Sequence, residues 1–465
     1  MKNNDNRRRF SAGTVFMLAM LAIVLAGSAA VLIRLSSGAS VNLNRLNMQI
    51  LNLQTGRRED SGTETAPVHG KQEESPSGFP EAPAGASLTA ASPPTGDGAG
   101  ANGNAPGGRE ETTVKPAAAE TAAEPVTGSY TLTAAGSVCL EGDVRKDAWN
   151  TDSKAYDLSD TMLLLKPELQ GNFKAVFLEN LFSGTEKTND TVAPEELADL
   201  LADAGFTMAA CGFSKAYDKG PEGVAATWMT LDERGVIPTG IRPEERQGKL
   251  ETVTVNGVRT VFLQYTATVP SKTRKKMIKA DTSGMVPEAE ISLIAEEIDI
   301  ARKQGAEAVI VLLKWGKTDS RPDSAQRELA AQIAQAGADL IIGSGSRIPQ
   351  SAEYLDGRDG AKVLCAWSLG SLITGDRSKP SHIAGYLLHV TVRKNGKGGA
   401  DILAPEYTPV YTWKYRQDGR YYYRCLASDQ PAPDGMDAEQ QKNMAKAEKA
   451  VSDILAGSPL TLRTR

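Results

Sequence analysis

The side chains able to do chemistry in this chain gather where apolar runs end. Along the 465 residues, short apolar stretches stop at loops of glycine and polar residues: Gly136-Ser137, Glu179-Asn180-Leu181-Phe182, Gly212 to Gly220, Lys314-Trp315-Gly316, Gly343 to Gln350 and Ser368-Leu369-Gly370-Ser371. In open α/β sheets, ligands sit beyond the carboxyl ends of strands. These loops carry Lys215, Lys314 and Arg347 but no histidine. Lysine and arginine donate hydrogen bonds and have no lone pair free for a metal at neutral pH. The chemistry on offer is anion binding by fixed cations, not ligation of a divalent ion by carboxylate or imidazole. Only three histidines exist, His69, His382 and His389. None has ligand spacing, so no metal, no cofactor and no metal-assisted hydrolysis are expected.

Other motifs are fragmentary. Ala366 to Gly370 lacks the leading glycine of a nucleophile elbow, and His382 follows with no intervening acid in the usual order. The Gly343 to Ser346 loop presents backbone N–H groups that suit an anion. No P-loop, dinucleotide fingerprint or CxxC pair is present. Cys139, Cys211, Cys365 and Cys425 lie in or near apolar strands, where free cysteine behaves as a small hydrophobe. Buried thiols are expected rather than a disulfide scaffold.

The elements that must position these loops alternate. Strands are predicted at Tyr130 to Ala135, Ala175 to Leu178, Phe206 to Cys211, Ala308 to Leu313, Asp339 to Ile342, Lys362 to Trp367 and Tyr386 to Val392. Helices are predicted from Pro194 to Ala204, Pro221 to Arg234, Pro287 to Gln304 and Ala325 to Ala336, several of them stopped by glycine. Asn256-Gly257 marks a type I′ hairpin. After Pro405 come an aromatic strand pair, Tyr407 to Tyr423, and a helix from Asp437 to Leu455. Helices that end in glycine and hand on to buried strands are the rhythm of an α/β protein.

In order and spacing, the six loops resemble the CapA family, the poly-γ-glutamate capsule synthesis proteins. That family typically shows GD, NLE, ANNHxxDxG, HWG, GHHPHxxQ and SLGNF. The resemblance covers roughly residues 130 to 392. It implies a four-layer α/β/β/α sandwich like that of the metallo-dependent phosphatases. It also implies a role in making, anchoring or exporting a surface polymer. The family's metal positions depart from the pattern throughout. Ser137 stands for the aspartate of GD and Phe182 for the glutamate of NLE. Phe213, Ser214 and Lys215 replace NNH, Lys314 replaces the histidine of HWG, and Ser344, Gly345 and Arg347 replace the histidines of GHHPH. Asn180, Leu181, Asp218, Gly220, Gly343 and Gln350 persist. A retained fold that has lost its metal centre is the expectation. Lys215, Lys314 and Arg347, with Asn180, Asp218 and Ser137, would line a cleft for an anionic surface polymer. Such a chain would be non-catalytic and work beside membrane-bound synthesis or export proteins. The alternatives are a hydrolase or ligase with an atypical site, and a stand-alone polyanion-binding module.

The N-terminal part sets the expected compartment. Lys2, Arg7, Arg8 and Arg9 precede an uncharged run from Ala12 to Ile33. At about 1.5 Å per residue this run reaches about 33 Å, enough to cross a membrane. The basic flank keeps residues 1–11 cytoplasmic and places the rest outside. A cleaved signal peptide with its site near Ser28 to Ala30 is the rival reading. Residues 34–55 form a membrane-proximal segment, and residues 56–127, rich in glycine and proline, are expected to be disordered. The CapA-like domain takes 128–404, with a C-terminal strand pair and helix at 405–465. A net charge of −5 excludes a strongly basic nucleic-acid binder.

Overall fold

The strand Ala308–Lys314 (AVIVLLK) is buried at every position. A strand apolar on both faces must be covered on both. Ala308, Ile310 and Leu312 turn into one apolar cluster, and Val309, Val311 and Leu313 into another. The same two-residue period divides Leu340, Ile342, Leu364 and Ala366 from Ile341, Val363, Cys365 and Trp367. On a second sheet it divides Tyr130, Leu132, Ala134, Phe173, Ala175 and Phe177 from Ala135, Val138, Val176 and Leu178. Two sheets therefore share one core, and each buries its outer face beneath helices.

The computed structural model describes residues 128–183 and 187–464. The strands are β1 (Ser129–Val138), β2 (Trp149–Asn150), β3 (Ala155–Tyr156), β4 (Phe173–Leu178), β5 (Met208–Ala210), β6 (Ile237–Thr239), β7 (Glu251–Val255), β8 (Val258–Thr266) and β9 (Ala308–Lys314). They continue as β10 (Leu340–Ser344), β11 (Pro349–Asp356), β12 (Lys362–Leu369), β13 (Ser371–Ile373), β14 (Ala384–Lys394), β15 (Ala400–Gln417), β16 (Arg420–Ala427) and β17 (Thr461–Leu462). The larger sheet runs β16-β15-β14-β1-β4-β5-β6, with β13 on β1 and β17 on β15. The smaller runs β11-β12-β10-β9-β8-β7, and β2 pairs with β3. Strands β1, β4, β5 and β6 are mutually parallel, as are β8, β9, β10 and β12. Helices Glu196–Asp203 and Gly220–Asp232 cover the larger sheet; Ile291–Lys303 and Ser324–Ala336 cover the smaller.

The expected α/β rhythm is present. The hairpin at Asn256-Gly257 has positive φ at both residues, as a type I′ turn requires. Asp323 and Asp437 each close a capping box on their helices. The four cysteines are free and buried. Two elements go beyond the expectation. Helix Ser271–Lys279 (SKTRKKMIK) buries only Met277, so it carries almost no apolar period to read. Strand β11 begins on Pro349, a residue suited to an edge position.

The boundary expected at 404/405 falls inside β15, which pairs with β14 from Ala384–Tyr411 to Lys394–Ala400. The last sixty or so residues thus complete the larger sheet. Helix Ala438–Leu455 buries Met444, Ala447, Val451 and Leu455 in the core shared by the sheets. The expected cytoplasmic tail, span 12–33, segment 34–55 and linker 56–127 lie outside the described residues. Among the described residues no helix is long and apolar enough to cross a membrane.

At the strand ends of the smaller sheet, neighbouring strands pack too closely for a side chain. A Cβ on Gly343 would lie 2.0 Å from the Trp367 carbonyl oxygen and 2.4 Å from Trp315 Nε1. That indole donates to the same carbonyl at 2.9 Å. Gly343→Ala should therefore cost about 2–4 kcal/mol by overpacking and by breaking this bond. Gly396, with open space around it, should tolerate alanine to within about 0.5 kcal/mol. Urea unfolding midpoints of the two variants check the contrast.

Candidate functional site

The parallel strands of both sheets end along one edge, where their loops meet. Glu179 follows the last residue of β4, and Lys314 is the last residue of β9. Their side chains are 6% and 7% exposed and form an ion pair between the two sheets. Arg347, in the loop between β10 and β11, reaches the other Glu179 oxygen at 3.3 Å. It also pairs with Glu141, in the loop after β1. Its Nη2 lies 3.5 Å from Cys139 Sγ. The four charges alternate and cancel: Lys314, Glu179, Arg347, Glu141.

Backbone geometry fixes this arrangement. Arg347 has φ 61°, a left-handed conformation uncommon outside glycine, asparagine and aspartate. Ser371 Oγ donates to its carbonyl oxygen at 2.7 Å and holds the turn. Ser137 on β1 and Ser344 on β10 share a hydroxyl hydrogen bond at 2.9 Å, a second link between the sheets. Buried Gln264 clamps Gly212 from both sides, accepting from its N–H and donating to its carbonyl at 2.7 Å each.

Burial by itself pushes the Glu179 carboxyl up. The Lys314 ammonium and then the Arg347 guanidinium outweigh that effect and hold it below its ordinary value, with Ser137 adding a hydrogen bond. Burial also lowers Arg347, but Glu179 and Glu141 reverse this and raise it above the ordinary arginine value. Burial pushes the Cys139 thiol up, away from thiolate chemistry. A carboxylate locked between two cations makes a poor general base, and a protonated buried thiol a poor nucleophile.

The residues expected to form a cleft separate into three groups. Ser137, Lys314 and Arg347 come together around Glu179. Asn180 is fully buried and turned to Leu140, accepting from its N–H at 2.8 Å and donating to its carbonyl at 3.4 Å. Lys215 and Asp218 are exposed on the loop after β5, where the Asp218 N–H donates to the Lys215 carbonyl at 2.9 Å. They share none of the hydrogen bonds of the Glu179 cluster. Sequence reasoning overlooked Glu179 and Glu141. Glu179 did carry a signal: it is the acid that ends an otherwise apolar strand, AVFLEN.

The residues here do not fit a divalent metal. Phe182 is a fully buried hydrophobe with no lone pair to offer a metal. An ammonium and a guanidinium, neither with a lone pair to give, occupy the centre. Among the described residues no group of three or more histidine, cysteine, aspartate or glutamate side chains is placed to hold a metal ion. His389 is buried between the Thr133 and Thr408 hydroxyls at 2.9 and 3.1 Å, and His382 lies 2.7 Å from Asp376.

Glu179→Gln would leave Lys314 buried without its counter-charge and should destabilise the fold by about 3–5 kcal/mol at neutral pH. The paired change Glu179→Leu with Lys314→Met removes both charges and should recover most of that loss. Because Glu179 is held below its usual 4.5 in the folded chain, its contribution is complete above about pH 4.5. It fades as pH falls through the lower folded value. The gap between wild type and Glu179→Gln should therefore narrow in acid, as chemical denaturation at stepped pH measures.

With this geometry in hand, comparison with known proteins is informative. A family model described as bacterial capsule synthesis protein PGA_cap matches residues 131–376. The PGA biosynthesis protein CapA of Bacillus subtilis (strain 168) is 26% identical over 239 residues, covering 50% of this chain and 59% of that protein. The capsule biosynthesis protein CapA of Bacillus anthracis is 27% identical over 244 residues, covering 50% and 57%. The chain thus spans less than two thirds of the length of these relatives. Among solved structures, a phosphatase of Mycoplasma pneumoniae aligns at TM-score 0.35 and 13% identity over 61% of this chain and 94% of its own. The calcineurin-like phosphoesterase YfkN of Bacillus subtilis aligns at TM-score 0.34 and 11% identity over 70% and 99%. Likeness that low carries no argument about fold or chemistry. The family match does: it takes in more than half of the 465 residues and every strand-end loop described above, and the chain belongs to the bacterial capsule synthesis protein family, PGA_cap.

Proposed function

We propose that this chain serves the making, anchoring or export of an anionic surface polymer of the poly-γ-glutamate type, and that it does so without hydrolytic chemistry. The observation that carries the reading is the Lys314–Glu179–Arg347 network at the strand ends. It supplies internally the charge balance that a metal centre would otherwise supply, and it leaves no unpaired base. On this reading the two packed sheets with outer helices are a metallophosphatase-like sandwich kept as a scaffold. Ser137, Lys314 and Arg347, with Asn180 beneath them, would shape a floor for the polymer. The polymer would meet Lys215 and Asp218, exposed on the loop after β5, with Lys215 as the attracting charge.

The names of the Bacillus relatives support the capsule role. The apolar run from Ala12 to Ile33 and the basic residues before it support attachment to the membrane with the folded part outside. There the chain would work beside membrane-bound synthesis or export proteins.

Metal analysis of the full chain, purified after growth with added manganese, zinc and iron, tests the non-hydrolytic part. The expected result is no stoichiometric metal and no phosphoester hydrolysis that responds to added metal. Metal retained in stoichiometric amount through gel filtration would overturn it. For the polymer-binding part, oligo-γ-glutamate should bind at low salt, and Lys215→Ala should weaken it by about two- to fivefold, as one exposed charge contact implies.

A further inference from the structure

A second charged region lies between the loop after β13 and helix Ala438–Leu455. It is a cavity of about 350 Å³, within the range of small-molecule sites. Arg377, Lys379 and Lys446 line it, with Tyr411 and Asn443, and no acidic residue does.

What sets this cavity apart from a solvated basic surface is Arg377. Its Nη1 donates to the Thr412 carbonyl and its Nη2 to the Thr374 carbonyl at 3.4 Å. Its Nε is sealed from solvent with no hydrogen-bond partner. The guanidinium lies 5.6 Å from the centre of the Tyr423 ring. Among the described residues no carboxylate forms an ion pair with it. The neighbouring Asp376 turns instead to Ser378 Oγ at 2.6 Å and His382 at 2.7 Å. Burial, outweighing the pull of Tyr411 and Tyr423, lowers Arg377 below the ordinary arginine value. Buried charges are normally paired, because desolvating a lone one is costly. Even Arg347 at the strand ends, more exposed than Arg377, has two carboxylates. Lys414, which also borders the cavity, is paired with Asp147 at 3.5 Å and Asp143 at 3.8 Å. Among the described residues Arg377 has no such partner, and it opens onto a cavity to which Lys379 and Lys446 add two more cations without an ion pair.

We infer that this cavity is a binding site for a multiply charged anion, carboxylate or phosphate, seated on Arg377 and gripped at its mouth by Lys379 and Lys446. The anion would supply the missing counter-charge to the guanidinium, whose planar fork suits either group. The apolar Pro380 and Ile383 on one wall leave room for a short connecting chain between charges. This inference does not depend on the capsule role, because the ligand is defined by charge and size alone.

Titration calorimetry on the full chain, with inorganic pyrophosphate and separately with pentaglutamate, tests it. Saturable binding that weakens as salt rises is expected for at least one probe. Tighter binding of pyrophosphate assigns the cavity to a phosphate-bearing ligand, and tighter binding of pentaglutamate to a carboxylate chain; either result supports the site. Arg377→Gln should reduce affinity about tenfold or more, as loss of a buried charge-assisted contact does. Should that variant fail to fold, the surface pair Lys379→Ala with Lys446→Ala, expected to lose about two- to fivefold per charge, decides the matter. Lys275→Ala, an exposed lysine on helix Ser271–Lys279 that does not line the cavity, should leave pyrophosphate affinity unchanged. No saturable binding of either probe, or binding indifferent to the Arg377 and Lys379/Lys446 changes, overturns the inference.

Discussion

The folded part of this protein turns on one buried ion pair. Lys314 is the last residue of β9 in the smaller sheet, and Glu179 follows β4 in the larger. Two sheets that share only an apolar core could slide over one another, since hydrophobic contact is non-directional. A charge pair in a dry site is directional, because either charge left alone there costs several kcal/mol. The pair therefore fixes the relative height of the sheets at the edge where their loops meet. Arg347 then follows from the pair. Glu179 has a second oxygen to satisfy, and Arg347 satisfies it while carrying Glu141 on its outer side. The left-handed turn at Arg347 and the bond from Ser371 are the backbone terms that make this reach possible.

This network changes the meaning of the cations at the strand ends. In the sequence, Lys215, Lys314 and Arg347 read as three charges waiting for an external anion. In the fold, two of the three are answered from within by Glu179, 135 residues from Lys314 and 168 from Arg347 along the chain. Charge type was legible; charge balance was not, because balance depends on contacts between loops of different sheets. The same limit hid Arg377. Nothing in the run Gly375-Asp376-Arg377 distinguishes an arginine that reaches the adjacent aspartate from one that turns away from it. Only the turn of Asp376 toward Ser378 and His382 decides which it is.

The elements themselves were far more legible, for a physical reason. Strand period, glycine stops and the Asn256-Gly257 turn are set by residues within a few positions of one another. They appear where local chemistry puts them. Local reading failed where an element depends on distant partners. Helix Ser271–Lys279 has one buried residue and no apolar face to announce it. The strand β15 looks like the start of an appended piece after Pro405, yet ten of its residues pair with β14 in the larger sheet. A proline inside a strand suggests a break, and here Pro405 sits beside the register shift opposite His389 to Thr391, where the ladder is already interrupted.

The two charged regions bear on each other through this architecture. The loop that carries Arg377 leaves β13, whose Ser371 holds the Arg347 turn and pairs in register with Ser137. From Ser371 to Arg377 is six residues, so a single segment touches the closed network at one end and the unpaired arginine at the other. At the network, every charge has been given a partner by the protein. At Arg377, the protein has supplied carbonyls and an aromatic face and has withheld the carboxylate. A chain that answers Arg347 with two carboxylates and leaves Arg377 to carbonyls and an aromatic face has separated its structural charge from the charge it offers to a ligand.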